Sequence, residues 1–253
     1  MSTPGINAPD WLTSHPIAHR GLHDNATDLV ENTTAAALAA VAKGFAIECD
    51  VQLSRDGEAM VFHDLTLDRL MRTTGELAFR DARELKTLRY ATGDQKIVTL
   101  EMFLAAINGR VPLICEIKST FNGNMRLAQR ALAIVSAQSG PVALKSFDPE
   151  IIAHLRAQNV NLPLGMIAEA QYTDPSWDAL SPALKQRLTH FLHYTETRPD
   201  FLSYNVEDLP NGVPYLCRKG IGLPVMTWTV RTLEQRQTAA QWADQMVFEG
   251  FVP

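Results

Sequence analysis

Three short pieces of the chain, far apart in sequence, carry side chains suited to one reaction. They are His19-Arg20-Gly21, then Glu48-Cys49-Asp50 with His63-Asp64, then Glu116-Ile117-Lys118. Together they supply three carboxylates for a hard metal ion, two imidazoles for proton transfer and two cations for an oxyanion. Cleavage of a phosphodiester needs that set: positive charge on the phosphoryl oxygens, a base for the nucleophile and an acid for the departing alkoxide.

Glu48 and Asp50 lie two apart in a strand-like run, so they share a face; Glu116 and Lys118 do the same. Three oxygen ligands without cysteine suit Mg²⁺ or Ca²⁺ rather than a structural zinc. For any one acid the alternative is pairing with Arg20, Lys118 or Lys145. Three converging carboxylates repel one another and call for a cation. His19 and His63 stand at strand ends beside these acids, and imidazole titrates in the range that acid–base work requires. His15, His23, His154, His190 and His193 lack that placement and read as surface or structural, His23 being the nearest to the set. Arg20 offers a bidentate fork to phosphate oxygens and Lys118 a point charge. Glu31-Asn32-Thr33 opens a helix, with Asn32 or Thr33 as its N-cap. Trp228 ends a strand and reads as part core, part pocket wall.

Short apolar runs alternate with helical patterns and must position these groups. Strands are expected to begin near residues 16, 45, 111, 142, 162, 201, 224 and 245. Helical periodicity covers 33–43, the Leu100, Phe103, Leu104, Ile107 series, the Leu127 to Val135 stretch, a segment opened by Asp148-Pro149, 177–187 and 233–242. Gly44 fits the C′ position of the first helix. Asp56-Gly57 turns the second strand back as a hairpin arm, Glu58–His63, and 65–99 follows as a long inserted connection. Eight βα units predict an α/β fold, a TIM (β/α)8 barrel in one domain over 1–253, with the site at the C-terminal strand ends. The alternative, a doubly wound open sheet, would want a Gly-rich loop after the first strand, and none is there. The chain stops soon after the eighth strand, so no final helix is expected. Pro9–Leu12, with Trp11, is expected to cover that gap.

Composition sets looser limits. The 253 residues are 46% hydrophobic and 20% charged, which allows a substantial core. A net charge of −5 provides no global attraction for nucleic acid. No apolar run is long enough to span a membrane, and the first residues lack the pattern of a secretory signal. Cys49, Cys115 and Cys217 have no metal-type spacing and read as buried thiols of a reducing compartment, the cytoplasm.

AHRG (18–21), ENT (31–33), ECDVQLSRDGEAMVFHD (48–64), TLDRLMRTTG (66–75), CEIKS (115–119), SFDP (146–149) and TWTV (227–230) resemble the glycerophosphodiester phosphodiesterase family over nearly the whole chain. The stretch from Glu48 to Gly75 is the most specific. The resemblance implies a TIM barrel, a divalent metal, and hydrolysis of a small-molecule phosphodiester to glycerol 3-phosphate and an alcohol. It also implies His19 and His63 as acid–base residues, Glu48, Asp50 and Glu116 on the metal, and Arg20 and Asn32 near the phosphate. Attack by the substrate's own neighbouring hydroxyl, through a cyclic phosphate, is the route it implies. Family members commonly end their eighth strand with an Asp-containing stretch and a helix, whereas this chain has Phe248-Glu249-Gly250. That departure, and the idiosyncratic stretch 169–200, leave open the leaving alcohol and assembly as a homo-oligomer. Two other readings remain. A phosphodiesterase acting on lysophospholipid-type headgroups would want an exposed apolar rim, and none is clear. A non-catalytic phosphate-binding barrel would lack a histidine or a carboxylate, and none is missing.

Overall fold

Nine strands form among the described residues, 8–24 and 27–253, of the computed structural model. They are β1 (Ile17–Ala18), β2 (Ala46–Leu53), β3 (Ala59–Val61), β4 (Leu113–Ile117), β5 (Val142–Ser146), β6 (Leu164–Ala168), β7 (Phe201–Asn205), β8 (Val225–Val230) and β9 (Gln245–Phe248). Eight of them are parallel, and β1 pairs with both β2 and β9, so the sheet closes into the expected TIM barrel. β3 is the antiparallel hairpin arm on β2. The helices are α1 (Thr34–Lys43), α2 (Ala82–Leu85), α3 (Leu100–Ile107), α4 (Arg126–Ser136), α5 (Pro149–Ala157), α6 (Pro182–Thr189), α7 (Tyr194–Thr197), α8 (Gly212–Leu216) and α9 (Leu233–Trp242). None of the described helices is long and apolar enough to cross a membrane.

Local chemistry sets the helix ends. Thr33, not Asn32, caps α1 by accepting from the Ala36 amide at 3.2 Å. Gly44, at φ 72°, takes the left-handed conformation that ends it. Asp148 caps α5 with Pro149 in its first turn.

The strand period of two builds the interior and, above it, the site. Ile17, Ala46, Ile114, Ala143, Phe201, Met226 and Val247 pack together as one buried cluster, the floor of the barrel. Their neighbours Ala18, Ile47, Cys115, Leu144, Leu202 and Val225 belong to the larger cluster that includes the apolar sides of α3, α4 and α5. Two residues beyond the floor positions, on the same face, come His19, Glu48, Glu116, Lys145, Ser203, Trp228 and Glu249.

One expectation about the ends of the chain needs correction. Asp10–Leu12 is a 3₁₀ turn, but it does not cover an outer gap. Leu12 packs with the floor cluster, which leaves it 1% exposed, and so closes the barrel from below. Outside β9, Phe248 instead meets Phe45 at 5.1 Å and Phe251 at 5.5 Å. The inserted connection 65–99 carries structure of its own. Leu67, Met71, Leu77, Leu85, Tyr90 and Ile97 join Met60 and Phe62 in a small core of its own.

Candidate active site

The carboxylates meet because β2 and β4 are neighbours in register. Asp50 lies opposite Glu116, and Glu48 opposite Ile114. Oxygens of Glu48, Asp50 and Glu116 all lie within 4.8 Å of one another, and all three residues are buried. Cations surround them. Lys118 Nζ is 2.9 Å from Asp50 Oδ1 and 2.7 Å from Glu116 Oε1. Lys145 Nζ is 3.1 Å from Glu48 Oε1. Arg20 donates its backbone N–H to Glu48 Oε2 at 3.1 Å, and its Nε lies 3.4 Å from Asp50 Oδ2. Burial opposes the charge on Asp50, but Lys118, His63 and Arg20 outweigh it and hold the carboxyl well below its ordinary range. Burial likewise opposes the Lys118 charge, and Asp50 and Glu116 raise it above the ordinary range.

These acids are therefore ion-paired, in an arrangement that could also hold a metal ion. The donor set fits a hard divalent ion: three converging oxygen ligands with no sulfur or imidazole among them. The trio lines a cleft of about 250 Å³, which His19, Arg20, His63, Lys118 and Trp228 also line.

Each of the two histidines is held at one ring nitrogen by a carboxylate. His19 Nδ1 lies 2.7 Å from Glu249 Oε2, and His63 Nδ1 lies 2.6 Å from Asp64 Oδ1. An ionised carboxylate only accepts, so Nδ1 is the protonated nitrogen and Nε2 remains available in the cleft. Burial works against the Glu249 charge, but His19, Arg231 and His23 bring its carboxyl down to about 2. Asp64 is also held well below the ordinary range: burial opposes its charge, and His63 and Arg69 overcome it.

Arg69 comes from the inserted connection and ties the two halves of the site together. It donates Nε and Nη2 to Asp64 at 2.6 and 2.9 Å. It donates Nη1 and Nη2 to Glu31, both at 2.8 Å. Glu31 Oε1 accepts in turn from Arg20 Nη1 at 2.6 Å. A continuous ionic chain thus runs from His63 to the phosphate-binding candidate Arg20.

Asn32 is placed differently from the pocket-facing position expected of it. Its Nδ2 donates to Asp50 Oδ2 at 2.9 Å, and its Oδ1 accepts from the Asp50 amide at 3.1 Å. Fully buried, it clamps the Asp50 carboxylate and does not line the cleft. Trp228 does line it, with Nε1 donating to Ser203 O at 3.0 Å. Lys145 reaches the site through Glu48.

Sequence reasoning missed Glu249, Asp64, Arg69 and Glu31 as working residues. Asp64 was signalled by its place next to His63. Glu249 was signalled by strand period, because it continues the β9 face as His19 continues that of β1. Arg69 had only its place in the TLDRLMRTTG stretch, and nothing local points it at Asp64.

Comparison with known proteins agrees with the barrel. A phosphodiesterase from Oleispira antarctica, solved with sn-glycerol-3-phosphate, superposes with a TM-score of 0.76 at 20% identity, covering 94% of this chain and 93% of that one. A glycerophosphodiester phosphodiesterase from Thermotoga maritima gives 0.70 at 22% identity, with 92% of each chain covered. Glycerophosphodiester phosphodiesterase 1 from Bos taurus is 26% identical over 246 residues, covering 87% of this chain and 72% of the relative. The glycerophosphodiester phosphodiesterase of Caldanaerobacter subterraneus is 28% identical over 231 residues, covering 87% of each. With the glycerophosphoryl diester phosphodiesterase family model matching residues 19–252, the chain belongs to that family of enzymes.

Proposed function

We propose that this protein hydrolyses glycerophosphodiesters to glycerol 3-phosphate and an alcohol, using a divalent metal and a pair of histidines. One observation carries the reading: two imidazoles, each held at Nδ1 by a carboxylate, open onto the same cleft as three buried carboxylates, Arg20 and Lys118. One barrel domain over 1–253 holds the whole site, with 65–99 as an inserted connection.

Glu48, Asp50 and Glu116 would hold Mg²⁺ or Ca²⁺, and the bound ion supplies Lewis-acid charge for the phosphoryl oxygens. Arg20 and Lys118 bring further positive charge to the same oxygens. Asn32 keeps Asp50 in place, and Trp228 walls the cleft. One imidazole takes the proton of the attacking oxygen at Nε2, and the other gives a proton from Nε2 to the leaving alkoxide. Glu249 and Asp64 stabilise each ring while it is charged. The proposed nucleophile is the neighbouring hydroxyl of the glycerol; water then opens the cyclic phosphate. The buried free thiols Cys49, Cys115 and Cys217 support a reducing compartment, and the cytoplasm is the proposed location.

The test is release of glycerol 3-phosphate from glycerophosphocholine with Mg²⁺ or Ca²⁺, and again with excess chelator. Chelator should abolish release. His19→Ala and His63→Ala should each lower the rate by roughly 10²–10⁴ while metal binding persists. Glu48→Ala, Asp50→Ala or Glu116→Ala should lose both rate and metal. Chelator-insensitive release would remove the metal from the reading, and full activity of His63→Ala would remove the acid–base pair.

A further inference from the structure

A second cavity of about 550 Å³ opens from the reaction cleft and shares His63, Lys118, Phe147 and Trp228 with it. That volume is in the roughly 300–1,000 Å³ range of small-molecule sites. Its walls come from segments that follow β4, β5, β6 and β7, including part of the idiosyncratic stretch after residue 168. They are of two kinds. The first is aromatic and centres on Trp177, whose ring lies 5.0 Å from Phe147, 6.1 Å from Phe121 and 5.2 Å from Tyr172; Phe147 in turn lies 5.6 Å from Trp228. The second is acidic: Glu169, Asp174 and Glu207 line it.

Positive charge is scarce there. Among the described lining residues Lys118 is the one lysine or arginine, and its ammonium is paired with Asp50 and Glu116 at the inner end. Asp174 is engaged with Ser176, accepting from its amide at 2.8 Å and its hydroxyl at 2.7 Å. Glu169 is half-buried, and the Trp177 indole and Asn205 amide donate to it. Burial, with Asp208 and Asp174 close by, pushes the Glu169 carboxyl up to about 7 despite those two bonds. An arriving cation would relieve that repulsion, whereas a neutral alcohol would leave it in place.

We propose that this cavity receives the leaving alcohol and selects one bearing an amine cation, of the choline or ethanolamine class, with Glu169 and Trp177 as the selecting residues. The proposal rests on the phosphodiesterase reading above. The phosphate is held at the Lys118 end, so the alcohol carbon chain extends past Phe147 and Trp228 toward Trp177. A quaternary or primary ammonium two carbons from the ester oxygen then meets the indole face and the Glu169 carboxylate. Aromatic faces attract such cations, and a desolvated carboxylate adds to the attraction. Inositol and glycerol carry no charge for either wall to recognise.

The experiment compares kcat/KM for glycerophosphocholine and glycerophosphoethanolamine with that for glycerophosphoglycerol and glycerophosphoinositol, metal present throughout. Wild type should favour the cationic diesters by roughly tenfold or more, mainly through KM. Glu169→Gln, which keeps size and hydrogen bonding, should cut that preference at least threefold, and Trp177→Leu should do likewise. Free choline should inhibit competitively in wild type and much more weakly in Glu169→Gln. Hydrolysis of all four diesters with similar kcat/KM would overturn the subsite and leave the phosphodiesterase reading standing. An unchanged preference in Glu169→Gln would do the same. Failure to hydrolyse any of the four would overturn both.

Discussion

Glu249 approaches His19 with one oxygen: Oε2 accepts from His19 Nδ1 at 2.7 Å and from Arg231 Nη2 at 3.0 Å. That geometry separates two variants. Glutamine can turn its carbonyl oxygen into the Oε2 position and keep both bonds, losing only the charge. Alanine loses the acceptor, so the His19 ring is free to rotate and to carry its proton on either nitrogen. A hydrogen bond to a charged group is worth about 1.5–3 kcal/mol and a neutral one about 0.5–1.5 kcal/mol. If the full bond strength is expressed in the transition state, Glu249→Ala should lower kcat by roughly 10–150-fold. Glu249→Gln forfeits only the difference, about 1–1.5 kcal/mol, or roughly 5–10-fold. KM should change little in both, because Glu249 touches the ring and does not line the cleft. Steady-state release of glycerol 3-phosphate gives the two constants, and thermal melting confirms that each variant is folded. Glu249→Ala with kcat within threefold of wild type would refute the orienting role. Equal losses in the two variants would show that charge, and not ring placement, is what Glu249 supplies.

Arg69→Ala removes the brace behind Asp64 and should lower kcat by roughly 10–100-fold, as loss of a supporting shell does. In a His63→Ala background the same change should cost less, leaving only what Arg69 supplies through Glu31 and Arg20; fully additive losses would contradict the route through Asp64. Gly165→Ala would drive a Cβ into the Phe201 ring in the barrel interior. Overpacking of that kind costs about 1–3 kcal/mol, so Tm should fall by about 2–12 °C, and an unchanged Tm would show that Phe201 has room to move. Burial opposes the Glu31 charge, but Arg69 and Arg20 bring its carboxyl down to about 2, against an ordinary 4.5. Between those values the folded state binds fewer protons than the unfolded one, so this contribution is full above pH 4.5 and lost as pH falls through about 2. The Tm gap between wild type and Glu31→Gln should therefore narrow from pH 5 toward pH 2, and a constant gap would argue against it.

Several features of this protein are legible one segment at a time. The i, i+2 placement of Glu48 and Asp50, and of Glu116 and Lys118, follows from strand period alone, which fixes a shared face without any knowledge of neighbours. The helix start at Asp148 follows from its own side chain, which caps an amide two residues on, and from Pro149 after it. Alternating strands and helices determine a parallel sheet, and their number a barrel. What local pattern does not contain is the choice of partner across the closed sheet. Glu249 becomes the His19 partner across 230 residues only because β9 returns to β1 and closes the barrel. Arg69 reaches Asp64 and Glu31 because the inserted connection folds back on its own small core. Asn32, a helix-cap candidate by sequence, clamps Asp50 because its backbone N–H donates to Arg20 O at 2.8 Å, just past β1, which sets it beside β2. The sequence by itself determined which residues could do chemistry and which face each would occupy, since those depend on backbone period and local hydrogen bonding. Only the tertiary structure decided which carboxylate orients which imidazole and which cation neutralises which acid, because those pairings depend on how distant segments are brought together by closing the barrel.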